Sequence, residues 1–173
     1  MEIMETENRN ALVIVAQHLQ EDLALRSKLA GVWIDQQDGE KLIVAITTDP
    51  AIDANSPTER STVEQEVRAK IAASSRAATP RLEFRAARYS LGRLEQIQAE
   101  LSDRIGRPPG YITGAGIHPE NNVVTITLLD TAPVSLVASL RNQYQDAVRV
   151  ARAKQGDAYS LSDADRYSGT DGN

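Results

Sequence analysis

G-V-W-I-D-Q-Q-D-G-E-K-L-I-V-A-I-T, from Gly31 to Thr47, reads as a β-hairpin. Asp38-Gly39 is a favoured pair for a two-residue turn that needs positive φ at both positions. With those residues as the turn, Ile34 faces Ile43 and Trp33 faces Val44. Side chains alternate along a strand. Val32, Ile34, Ile43 and Ala45 then share one face, and Trp33, Leu42, Val44 and Ile46 share the other. Both faces are apolar, so both are expected to be covered. Trp33 is the only tryptophan and is expected in the core of the first lobe.

A weaker copy of the pattern runs from Gly114 to Thr127, G-A-G-I-H-P-E-N-N-V-V-T-I-T. With Glu120-Asn121 as the turn, His118 faces Val123 and Ile117 faces Val124. Ala115, Ile117, Val124, Ile126 and Leu128 make an apolar face. Gly116, His118, Val123, Thr125 and Thr127 make the opposite one. Aligning Ile34 with Ile117 sets Gly31 on Gly114, and two similar hairpins suggest duplication of one supersecondary unit.

The intervening stretches carry helical periodicity. From Asn10 to Ala30 an apolar stripe runs through Leu12, Val15, Ala16, Leu19, Leu23 and Ala30, with His18 on the polar side; residues 1–8 are expected to fray. Ser56-Pro57-Thr58-Glu59 has the form of a capping box with proline at the first helical position. Val63, Val67 and Ile71 give the stripe of that helix. Ser90 is expected to cap a third helix, with Leu91, Leu94, Ile97, Leu101 and Ile105 buried. Asp130 or Thr131 is expected to cap a fourth, with a stripe of Leu136, Leu140 and Tyr144. Arg81–Tyr89 alternates as a half-buried strand exposing Arg81 and Arg85 near Arg88, and Asp146–Arg152 reads as a short last strand.

The expected fold is therefore α+β: tandem α-β-β-α-β units, each a small, mainly antiparallel sheet packed against helices. The first lobe is expected over residues 1–88 and the second over 89–152. Residues 153–173 are polar and rich in Gly, Ser and Asp, and are expected to form a flexible, disordered tail.

Composition narrows the function classes. The 173 residues can bury a real core. A net charge of −5 disfavours a nucleic-acid binder that neutralises phosphates. The absence of cysteine excludes disulfides, thiolate catalysis and Cys-ligated metal. No apolar run is long enough for a membrane span. No signal peptide opens the chain as written, so the expected compartment is the cytoplasm, or the exterior if the chain is a fragment of a protease precursor. No nucleophile elbow, metalloprotease helix or Walker loop occurs. His18 and His118 have no motif around them, and turn or capping chemistry accounts for Asp35, Asp38 and Asp130. The residues thus point to no enzyme, cofactor or metal.

Three ordered segments carry a family resemblance: A-G-V-W-I-D-Q-Q-D-G-E-K-L-I-V-A-I-T-T-D-P, then A-R-Y-S-L-G-R-L-E-Q-I-Q-A-E-L, then the Gly114–Thr127 hairpin. Over about residues 28–152 the chain resembles the pro-regions of bacterial chymotrypsin-like serine proteases, of the α-lytic protease and streptogrisin precursor type. The resemblance implies a two-lobed, non-enzymatic module that assists folding of its protease and inhibits it. It also implies that the C-terminal lobe's sheet meets the protease and that the following tail enters the active-site cleft. On this chain those contacts fall to Thr125, Thr127 and His118 of the second hairpin, and to Arg152 and Tyr159 at the start of the tail. The alternative is a stand-alone intracellular interaction module of unknown partner, including a homodimer through an apolar sheet face.

Overall fold

The computed structural model describes residues 2–37, 40–48, 57–74 and 81–154. Four helices and two three-stranded sheets follow one another as α1 (Glu2–Glu21), β1 (Leu29–Asp35), β2 (Lys41–Thr47), α2 (Pro57–Ser74), β3 (Arg81–Ala87), α3 (Leu91–Ser102), β4 (Ile112–His118), β5 (Val123–Leu129), α4 (Val134–Tyr144) and β6 (Val148–Ala153). The α+β class and the twice-repeated order stand as the sequence predicts. Asp38, Gly39, Ser56, Tyr159 and the expected tail from Gln155 onward lie outside the described residues.

Each sheet is mixed rather than mainly antiparallel. Its order is hairpin then third strand, β1-β2-β3 and β4-β5-β6. The hairpin pairs are antiparallel, while β2–β3 and β5–β6 run parallel. A helical crossover from one strand to its neighbour returns the chain in the same direction. The helix between the second and third strands thus settles the pairing, which alternation within single strands cannot reveal.

The two hairpins are superimposable in register. Each carries an irregularity at the same place, between Leu29 and Gly31 in one and between Ile112 and Gly114 in the other. Gly31 then stands opposite Ala45, and Gly114 opposite Thr127. In both units a glutamine from the preceding helix donates to the first strand's free-edge side: Gln20 Nε2 to Val32 O at 2.7 Å, and Gln98 Nε2 to Ala115 O at 3.1 Å. Val32 and Ala115 hold the same place in their strands.

The first hairpin pairs one residue out of the expected register. Trp33 faces Ile43 and Ile34 faces Leu42, joined through a longer connection from Gln36 to Glu40. A one-residue slip exchanges the faces of one strand. Val32, Leu42, Val44 and Ile46 now share the face that packs on Leu12, Val15, Leu19, Leu25, Val63, Val67 and Ile71. This register puts four aliphatic side chains under the helices and turns the bulky indole away. Trp33 is therefore half-buried on the outer face, with the Arg85 guanidinium 5.8 Å from its ring centre, and is not part of the first core. The second hairpin keeps the expected register, with His118 opposite Val123. Val124, Ile126 and Leu128 are fully buried with Leu94, Ile97, Leu101, Leu140 and Tyr144.

Helix ends depart from the sequence reading in three places. α1 spans Glu2–Glu21, earlier than the expected Asn10–Ala30. Asp22 ends it: its Oδ1 accepts from Ala24 N at 2.9 Å and its carbonyl from Leu25 N at 3.0 Å. That turn buries Leu25 and leaves Leu23 77% exposed, so Leu23 does not belong to the stripe, and Ala30 belongs to β1. α3 is capped by Ser90, whose Oγ accepts from Arg93 N at 3.2 Å, but it stops at Ser102 and leaves Ile105 exposed. α4 has Pro133 at its N-cap, and neither Asp130 nor Thr131 caps it. The Asp130 N–H is instead bonded to Ala153 O at 2.9 Å, prolonging the sheet. Asp146 lies in a 3-10 turn, Gln145–Ala147, ahead of β6.

Candidate functional site

Alternation along β5 sets two chemically different surfaces back to back. Val124, Ile126 and Leu128 point to the helices, so Thr125 and Thr127 point outward, half-buried. Pairing aligns Gly116, Thr125 and Arg149 in one row across the sheet, and Gly114, Thr127 and Ala151 in the next. His118, opposite Val123, closes the face at one end. The surface is low and side-chain-poor: a Cβ built on Gly116 would meet nothing within 4 Å among the described residues, and one on Gly114 would meet only Thr127.

The residues singled out by sequence thus fall into three groups. Thr125, Thr127 and His118 share this outer face. The two threonines lie on the central strand, so their backbone is committed to β4 and β6 rather than to a sheet edge. Arg152 has the opposite parity, paired with Leu128 on the helix side. Its Nη1 donates to Asp130 O at 2.9 Å and Ala132 O at 3.1 Å, tying β6 to the loop before α4. Tyr159 lies outside the described residues. Sequence reasoning set Gly116 on this face, as the pairing does, but missed Gly114, Arg149 and Ala151. The V-R-V-A-R-A alternation of β6 held the signal for Arg149 and Ala151, once Val148 and Val150 are assigned to the core.

The sheet has two edges of different character. On β4 the Ala115 carbonyl is occupied by Gln98. β6 pairs with β5 on one side, and no strand pairs with its other side among the described residues. Exposed Arg149, Arg152 and Lys154 make that edge basic. Charged side chains at an edge discourage indiscriminate strand pairing, and they favour a partner strand with acidic side chains.

The junction between the two units is polar. Arg88 and Tyr89 both reach Asp146, through an ion pair and a hydroxyl hydrogen bond. Tyr89 N donates to Asn122 Oδ1 at 2.7 Å, and Asn122 Nδ2 donates back to Tyr89 O at 2.8 Å. Asn122 has φ 54°, a left-handed backbone that asparagine tolerates better than most residues. Arg26 pairs with Glu95 at 2.8 Å, and the Gly92 N–H in the first turn of α3 meets Arg26 O at 3.1 Å. The Tyr89 hydroxyl, with the Arg88 ion pair beside it, holds Asp146 below the usual carboxylate value. Burial, then Asp146 itself, pushes the Tyr89 hydroxyl up. The expected basic cluster is consumed by these pairs: Arg85 meets Glu83 at 2.6 Å, and Arg88 meets Asp146.

A second concave place lies between the C-terminal ends of α1 and α2. It is a cleft of about 200 Å³ lined by His18, Leu19, Asp22, Lys70, Ile71 and Ser74, among others. A hydrogen bond from Lys70 holds Asp22 below its ordinary value and raises Lys70 in turn. That pair satisfies both charges locally. Among the described residues there is no group of three or more His, Cys, Asp or Glu side chains placed to hold a metal ion. No helix among them is long and apolar enough to cross a membrane.

No family model and no curated protein matches the chain.

Proposed function

We propose that the chain is a pro-region-like module that binds a chymotrypsin-like serine protease, assisting its folding, inhibiting it, or both. The observation that carries the reading is the open basic edge of β6 in the second unit, beside the sheet face that holds Thr125 and Thr127. A free strand edge can add one strand of a partner, with backbone hydrogen bonds for affinity and alternate side chains for selectivity. The three segments that resemble protease pro-regions lie on α3 and the two hairpins that build the sheets, and this supports the same reading. Binding of this kind needs no catalytic residue in the module.

The test is titration of the purified chain against several α-lytic-type proteases, and its addition to the same proteases during refolding. Inhibition, or faster recovery of activity, is the expected result. Arg149→Glu reverses the charge on the open edge without touching a described partner, and is expected to weaken the effect about tenfold, the equivalent of about 1.4 kcal/mol. The absence of both effects across the panel rules the reading out.

A further inference from the structure

Among the described residues the strand edge is not the only uncovered surface of the second unit, and the first unit shows what its outer face is shaped to hold. A Cβ built on Gly31 would stand 2.7 Å from Pro119 Cβ and 3.7 Å from the Trp33 ring. The hairpin turn of the second unit, Pro119–Asn121, is thus seated directly on the bare backbone of Gly31, beside an aromatic wall. The glycine is required there, because any side chain would occupy the proline's place.

Gly114 is the counterpart of Gly31 by three independent marks. The strand irregularity immediately precedes both. Their cross-strand partners, Ala45 and Thr127, are equivalent. The glutamine bond falls one residue after each. Yet among the described residues no turn sits on Gly114: its missing Cβ would meet only Thr127 Oγ1 at 3.6 Å and Cβ at 3.7 Å. Where the first unit has Trp33, the second has half-buried Gly116, whose missing Cβ would meet nothing within 4 Å among the described residues.

We infer that the outer face of β4 and β5, centred on Gly114 and Gly116, is a second seat for a proline-led hairpin turn, supplied by a different protein. A second copy of this chain is disfavoured as the source, since its Pro119 turn is already seated on its own Gly31. Face-to-face pairing of two such sheets is disfavoured by size. Three strands about 4.8 Å apart, of seven, seven and six residues, present only ~320 Å², against the ~800 Å² per partner of a stable interface. A single turn fits that footprint. The inference goes beyond the protease reading, which uses the β6 edge, and does not depend on it.

The probe is a backbone-cyclised hairpin peptide carrying residues 115–126 of this chain, titrated into the isotope-labelled full chain and followed by amide chemical shifts. The expected result is saturable shifts at Gly114, Gly116, Thr125 and Thr127. The same peptide with Pro119→Ala is expected to bind at least fivefold more weakly. Gly114→Val in the protein is expected to abolish the shifts while leaving the rest of the spectrum unchanged, because a Cβ there makes only ordinary contacts. Gly114→Ala, which carries the smaller side chain, serves if the valine variant does not fold. Equal binding by the Pro119→Ala peptide, equal binding by the folded glycine variant, or shifts confined to Gly31 and Trp33 would each overturn it. Protease inhibition that survives Gly114→Val separates this seat from the β6 edge.

Discussion

Gly31 and Gly114 look alike in sequence, each beginning an alternating apolar run, but they answer to different constraints. At Gly31 the limit is Pro119 across the junction; at Gly114 there is room. Gly31→Ala is therefore expected to destabilise the chain by about 1–3 kcal/mol, the usual cost of overpacking. Gly114→Ala is expected to stay within about 0.5 kcal/mol, as surface changes do. Denaturant titration of both variants measures the difference, and equal midpoints would refute the seating of Pro119. No reading of the sequence could separate the two glycines, because the partner of Gly31 lies 88 positions further along the chain. Asn122 was similarly opaque: its polarity announces a turn, but its two bonds to Tyr89 depend on how the segment before α3 lies against the second hairpin.

Among the elements, those with strong internal patterns were legible, and the errors gather where chain direction or register depends on something outside the element. Ser90 and the spacing of Leu91, Leu94, Ile97 and Leu101 placed α3, because capping and periodicity are both local. The Asp38-Gly39 pair suggested a tight turn, but helix packing selected the pairing that sets Val32 and Ile34, rather than Trp33, on the face of Leu42, Val44 and Ile46. The end of α1 was misplaced because Leu23 continues the helical spacing while Leu25 does not. The Asp22 turn reverses their roles. Leu25→Ala is expected to cost about 2–5 kcal/mol, as truncation of a fully buried leucine does. Leu23→Ala is expected to change stability by less than about 0.5 kcal/mol. Thermal unfolding of the pair distinguishes them, and a reversed order would restore the longer helix. The outer-face residues Thr125, Thr127 and His118 could be grouped from alternation alone. Arg152 could be set apart from them by the same alternation, since it shares the parity of Val148 and Val150, but its bonds to the loop before α4 could not be read from sequence.

For the whole molecule, two apolar cores are joined, among the described residues, by a junction of hydrogen bonds, ion pairs and the Pro119 contact, so the junction is where solution conditions act first. Asp146 is lowered in the folded state by Tyr89 and Arg88. Its contribution is therefore fully present above the unfolded value, about 3.9, and is lost as pH falls through the lower folded value. Tyr89 is raised by burial and by Asp146. Its contribution is fully present below about 10, and is lost as pH rises through the higher folded value. The junction is expected to loosen at both extremes while the sheets persist. Trp33, the only tryptophan, lies beside the Pro119 contact, so its emission is expected to shift before far-ultraviolet dichroism changes. Asp146→Asn is expected to weaken both limbs. Coincident transitions at both extremes would show instead that the two cores unfold as one.

The parallel third strand of each sheet also sets a timetable. In the second unit the strands meet across 24 residues, from Val124 to Val148; in the first they meet across 40, from Leu42 to Leu82. The shorter closure costs about 0.5 kcal/mol less chain entropy, and topologies of shorter reach assemble sooner. The C-terminal sheet is expected to close first and to present a finished Pro119 turn on which the earlier sheet can settle. Pulse-labelled hydrogen exchange should show β5 and β6 protected before β2 and β3, and the reverse order would contradict this. During synthesis the earlier unit would then wait for the later one, so the second unit acts as the template on which the first settles.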